Sequence, residues 1–102
     1  MPGTYNYPQT LDTQTITSST AVDLMAVLNT AGRGSNRPIS GWAIGIETTN
    51  ARMGDSTIST TKGVLLEAGT KLFLDKSGGP LFFIATGSDT TINATVFYAD
   101  QV

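Results

Sequence analysis

Alternating hydrophobic and polar positions predict β-strands through most of the chain. In residues 39–48, Trp42, Ile44 and Ile46 fall on one face and small residues on the other, as in a strand with one buried face. Further strands are predicted at residues 9–18, 51–53, 63–66, 71–74, 81–86 and 91–98. Turn-forming residues separate them at intervals of roughly ten residues. This spacing predicts a mainly β fold, a compact antiparallel β-sandwich of jelly-roll type.

One segment, residues 20–32, has a pattern that fits a helix. Thr20 and Asp23 have the spacing of a capping box, and Gly32 is a typical residue at a helix end. The apolar residues between them are too evenly spaced for a clean amphipathic stripe, so a strand followed by a turn is the alternative. At most one short helix is therefore predicted, near residues 20–31.

The N-terminal residues 1–9 are predicted to form an extended arm, because Pro2, Gly3 and Pro8 oppose regular structure. Tyr5 and Tyr7 alternate along this arm and are candidate anchors on a neighbouring molecule; a frayed terminus is the alternative. Residues 10–102 are predicted to form a single β-sandwich domain, since no linker, charge block or repeat divides them.

The composition argues against the common catalytic and metal-binding chemistries. The chain has no cysteine and no histidine, so disulfides, zinc sites and the usual nucleophilic triads are not expected. Its eight acidic residues are isolated, and those beside Gly or Ser, such as Asp55 and Asp89, suit turns better than catalysis. We therefore predict a non-enzymatic protein with no catalytic residues, no cofactor and no metal.

Charge and hydropathy narrow the range of partners. The formal net charge is −2 and the six basic residues are scattered singly, which argues against nucleic-acid binding. No apolar run approaches the ~18 residues of a membrane span, and no signal peptide is recognisable, so we expect a protein made in the cytoplasm without membrane contact. Arg33 and Arg37 are candidate interface residues that would pair with acids on a partner, a mobile loop being the alternative. A small core without disulfides or metal gains stability from association, so a homo-oligomer is expected.

Residues 53–69 form the most specific segment, because glycines mark each point where the chain has to reverse between very short strands. It contains a Gly-Asp-Ser-Thr-Ile-Ser turn at residues 54–59 and a Gly-x-x-Leu-x-Ala-Gly segment at residues 63–69, and a Phe-Ile-Ala strand follows at residues 83–85. This succession, within residues 39–98, resembles a class of small virion proteins of tailed bacteriophages.

The resemblance implies a β-sandwich accessory protein of the virion. It favours a capsid decoration (cement) protein that binds the major capsid protein at the capsid surface, commonly as a homotrimer, after synthesis in the host cytoplasm. A tail or head–tail component, such as a baseplate or adaptor protein, is an alternative. A carbohydrate-binding module is another, with Trp42, Tyr5 or Tyr7 as the stacking platform, although the phase of Trp42 with Ile44 and Ile46 favours a place in the core.

Overall fold

The computed structural model describes residues 6–32, 38–75 and 78–99, which form two antiparallel β-sheets and one helix. The elements are β1 (Asn6–Thr10), β2 (Gln14–Ile16), β3 (Val22–Asp23), α1 (Leu24–Ala31), β4 (Ile39–Ile46), β5 (Ala51–Gly54), β6 (Val64–Leu66), β7 (Lys71–Leu74), β8 (Phe82–Ala85) and β9 (Thr90–Ala99). The predicted mainly β sandwich with at most one short helix is confirmed.

The two sheets differ in how their strands are ordered. The five-stranded sheet runs β1–β9–β4–β7, and β2 also pairs with β9 beyond the end of β1. The four-stranded sheet runs β3–β8–β5–β6. Strands β7 and β6 are therefore edges of their sheets, and they follow each other along the chain through the turn at residues 67–70.

The core is built from alternate residues of the long strands, as the sequence predicted. Trp42 is 0% exposed, and Ile44 and Ile46 are also buried. On β9 the buried residues are every second one, from Thr90 to Tyr98. Packing these faces together removes apolar surface from water, which is the main favourable term in folding. Sequence periodicity thus identified the buried face of both strands correctly.

The helix begins later than predicted, and a different residue caps it. Asp23 is the N-cap, and its Oδ1 accepts hydrogen bonds from the backbone N–H of Met25 at 3.0 Å and of Leu81 at 2.9 Å. The prediction that Thr20 caps the helix is wrong, because Val22 and Asp23 are held as strand β3 against β8. The predicted end is confirmed, since Gly32 ends the helix with φ 86°.

The predicted arm is wrong for residues 6–9, which belong to a strand. β1 pairs with β9 from Asn6 opposite Ala99 to Thr10 opposite Thr95. Pro8 fits there because β1 is an edge of its sheet, where a missing N–H costs no ladder hydrogen bond. The single strand predicted at residues 9–18 is instead the end of β1 followed by β2. Residues 1–5 lie outside the described part of the chain.

Candidate functional site

The predicted interface residues are only partly described by the structure. Tyr5, Arg33 and Arg37 lie outside the described residues, so their role in partner binding stays a prediction. Tyr7 lies in β1, where its backbone is opposite Tyr98. The role of all four residues in partner binding therefore stays a prediction, and the interaction surface described below is formed by other residues.

The characteristic segment 54–63 folds against the outer face of the four-stranded sheet. Arg52 pairs across the sheet with Leu65 and Ile84, so it lies on the face opposite to buried Ala51. Its guanidinium donates from Nε to the carbonyl oxygen of Thr60 and from Nη1 to that of Gly63, both at 2.9 Å. Sequence reasoning missed this residue, which fixes the loop from its own strand.

Asp55 orders the first turn of this segment. Its Oδ1 accepts hydrogen bonds from the hydroxyl of Thr57 at 2.5 Å and from the backbone N–H of Thr57 at 2.8 Å. These two hydrogen bonds hold the pKa of the Asp55 carboxyl below its ordinary value, and the nearby Lys62 contributes in the same direction. The prediction that Asp55 serves a turn is confirmed by this geometry.

A shallow groove of about 450 Å³ runs along the outer face of the five-stranded sheet. Its floor includes Ala43 and Gly45 on the outward face of β4, which carry almost no side chain, and Gly41 lies further along the same face. The ring of Phe73 on β7 closes over Gly41, since a Cβ there would lie 2.7 Å from the ring. The same ring meets that of Phe97 with centroids 5.7 Å apart and planes inclined by 57°.

Large exposed hydrophobic side chains of the described residues lie on two neighbouring edge strands. Val64 is 58% exposed and Leu65 46% exposed on β6, and Phe73 is 58% exposed on β7. A second groove, of about 340 Å³, is lined by residues of both strands and by the carboxylates Asp55 and Asp75. We call the surface formed by β6 and β7 the open side of the sandwich.

The opposite edges of the two sheets are protected in ways that strand β7 of the open side is not. Edge strand β1 contains Pro8, and edge strand β3 has two residues and runs directly into the helix. Proline and very short strands are common devices against pairing with other chains. β7 has neither proline nor a register shift, and it carries an exposed phenylalanine. The contrast marks the open side as the candidate interaction surface.

The described residues offer few groups that could hold a metal ion or stack against a sugar. Within residues 6–32, 38–75 and 78–99, no group of three or more His, Cys, Asp or Glu side chains could hold a metal ion. Trp42 is wholly buried, so it is not a sugar-stacking platform, and the expectation that it belongs to the core is confirmed. Its Nε1–H has no hydrogen-bond partner in the described part of the chain.

Comparison with known proteins gives no relative. No family model, no curated protein and no solved structure matches the chain. Among the described residues, no helix has the length and apolar character needed to cross a membrane. The features of this chain that bear on function are therefore the open side, the folded loop at residues 54–63 and the motifs of the sequence.

Proposed function

We propose that this chain is a non-enzymatic structural protein of a bacteriophage virion, a capsid decoration protein that binds and stabilises the major capsid protein lattice. The observation that carries the proposal is the open side, where Val64, Leu65 and Phe73 expose apolar surface on two edge strands, and where β7 lacks the proline or extreme shortness that protects β1 and β3. Exposed apolar patches of this kind mark protein–protein contacts. The resemblance of the motifs within residues 39–98 to virion proteins of tailed bacteriophages supplies the class of assembly.

Decoration requires contact area and no reaction step. A protein that binds only the assembled lattice stabilises that lattice by mass action, because dissociation must first release the bound protein. Low charge suits this role: 14% of residues are charged, against an ordinary proportion of about a quarter. Few charges then have to be desolvated when the surface is covered. The protein would act at the capsid surface as a homo-oligomer, and the resemblance implies a trimer.

Binding to empty shells tests the proposal. Purified protein is mixed with expanded empty shells of the phage that carries this chain, and the shells are pelleted by centrifugation. We expect saturable binding and a higher melting temperature of the decorated shells. An unrelated protein of similar mass serves as the control, because it shows how much protein is carried into the pellet without binding to the shells. Absence of binding together with an unchanged shell melting temperature would refute the proposal.

A further inference from the structure

Strand β7 presents backbone hydrogen-bonding groups that no other described strand satisfies. The N–H of Ile46 donates to the carbonyl oxygen of Thr70 at 2.9 Å, which sets the phase of the β4–β7 ladder. Because hydrogen-bonded pairs alternate in antiparallel sheets, Leu72 and Leu74 direct their backbone groups to β4. Lys71 and Phe73 direct theirs away from it. Within the described residues, β4 is the strand paired with β7.

The outward groups of β7 are self-complementary. In an antiparallel arrangement centred on Leu72, Lys71 lies opposite Phe73 of a second copy, and Phe73 lies opposite Lys71. Each outward N–H then meets an outward carbonyl of the other copy. Leu72, half-buried on the inner face, would lie beside its own counterpart. Adding a strand in this way is a common mode of recognition at exposed sheet edges.

Side chains and charges favour the same register. Lys71 and Phe73 share the outer face of the sheet, opposite Gly45 and Ala43. The pairing therefore places a lysine ammonium and its stem beside each exposed phenylalanine ring, a cation–π arrangement. Asp75 is exposed at the end of β7, and diagonal neighbours in a sheet are within reach of a long side chain. Each Lys71 thus gains a carboxylate of the other copy.

We propose that two copies of this chain associate through their β7 strands, with Lys71 opposite Phe73, so that their five-stranded sheets become one continuous sheet. This contact shares with the proposed function only the expectation that copies of the chain associate with each other. It favours a twofold symmetric dimer over the trimer that the resemblance implies. In a ring of three copies, each β7 strand would have to pair with a different edge strand of the next copy. On the same sheet that edge is β1, where Pro8 removes one donor.

The test measures molar mass by light scattering over a wide range of concentrations. We expect the wild-type protein to form a dimer. Phe73→Lys places a lysine opposite Lys71 in both halves of the contact, so its dissociation constant should rise about a hundredfold, since juxtaposed like charges are strongly unfavourable. The double variant K71E/F73K restores opposite charges at each pair and should dimerise again, more weakly than the wild type because the introduced glutamate then lies near Asp75 of the other copy. Emission from buried Trp42 checks that each variant is folded.

Rescue by the double variant is specific to this register, since only pairing of position 71 with position 73 brings the exchanged charges together. A wild-type monomer or trimer would overturn the contact, as would a dimer that Phe73→Lys leaves intact or a double variant that stays dissociated. A monomer that still pellets with shells would refute this contact and leave the proposed function standing. A dimer that ignores shells would refute the proposed function and leave the contact.

Discussion

Replacing Arg52 by methionine tests the interpretation that this side chain holds the loop at residues 54–63 in place. Methionine keeps most of the aliphatic stem but removes both hydrogen bonds to the carbonyl oxygens of Thr60 and Gly63. Arg52→Lys is the graded variant, because lysine keeps the charge but has no rigid fork that reaches two acceptors at once. Lys62→Met is the matched control: it removes a positive charge from an exposed position of the same loop.

The expected loss follows from the two hydrogen bonds and their exposure. A hydrogen bond contributes about 0.5–1.5 kcal/mol net, and more when one partner is charged. Arg52 is half-buried and Gly63 is exposed, so water can replace part of what is lost. We therefore take about 1 kcal/mol for each bond, or about 2 kcal/mol for Arg52→Met. For a domain of this size that lowers the melting temperature by about 10 °C.

Urea unfolding followed by Trp42 emission measures these differences directly, because Trp42 is wholly buried in the folded protein. All variants are compared at one protein concentration, since association would add to the apparent stability. We expect Arg52→Lys to lose about half as much as Arg52→Met and Lys62→Met to lose much less than either, because its charge acts on Asp55 only at an exposed site. If Arg52→Met unfolds at the wild-type urea concentration, the side chain does not hold the loop and the reasoning is refuted.

Three further predictions test other parts of the fold. Gly41→Ala brings a methyl group 2.6 Å from the carbonyl oxygen of Leu74 and should cost about 1–3 kcal/mol by urea unfolding. Gly45→Ala, where the nearest atom is 4.0 Å away, should be tolerated, and equal losses would contradict the packing. Because the pKa of Asp55 is lowered in the folded state, its contribution is present above 3.8, the ordinary value, and is lost as pH falls through the folded pKa. Asp55→Asn should therefore differ most from wild type at neutral pH and converge with it in acid; a pH-independent difference would refute this. Asp23→Ala leaves two backbone N–H groups without their acceptor and should cost about 1–3 kcal/mol; Asp23→Asn keeps an acceptor and should cost less, and equal losses would contradict the capping role.

Periodicity predicted the core strands well because it reports directly on burial. Trp42, Ile44 and Ile46 share a face in any strand, so one pattern identified both the element and its buried side. The helix start could not be read in this way, since Thr20 and Asp23 are both good capping residues. Only the pairing of Val22 and Asp23 with β8 decides between them. The presence of Pro8 led to the wrong prediction of an arm for a similar reason. Proline is compatible with an edge strand, but the sequence does not show which strand is an edge.

The interaction surface was harder to predict than the core. Lys71-Leu72-Phe73-Leu74 has a large apolar residue on each face of a strand, so its sequence does not reveal that Phe73 is exposed at an edge. That depends on which strand occupies the other side of β7, a property of the sheet order. The contacts of Arg52 with Thr60 and Gly63 also depend on how the loop folds back. In the sequence, Arg52 looks like any surface arginine, so nothing there predicted that it would hold the loop.

The number of copies in purified virions tests the decoration proposal most directly. Quantitative mass spectrometry would compare peptides of this chain with peptides of the major capsid protein in the same particles. Decoration of a symmetric shell predicts on the order of hundreds of copies, in a fixed ratio to the major capsid protein. A dozen copies or fewer would place the protein in the tail or at the head–tail junction, and its absence from the particle would contradict a virion role altogether.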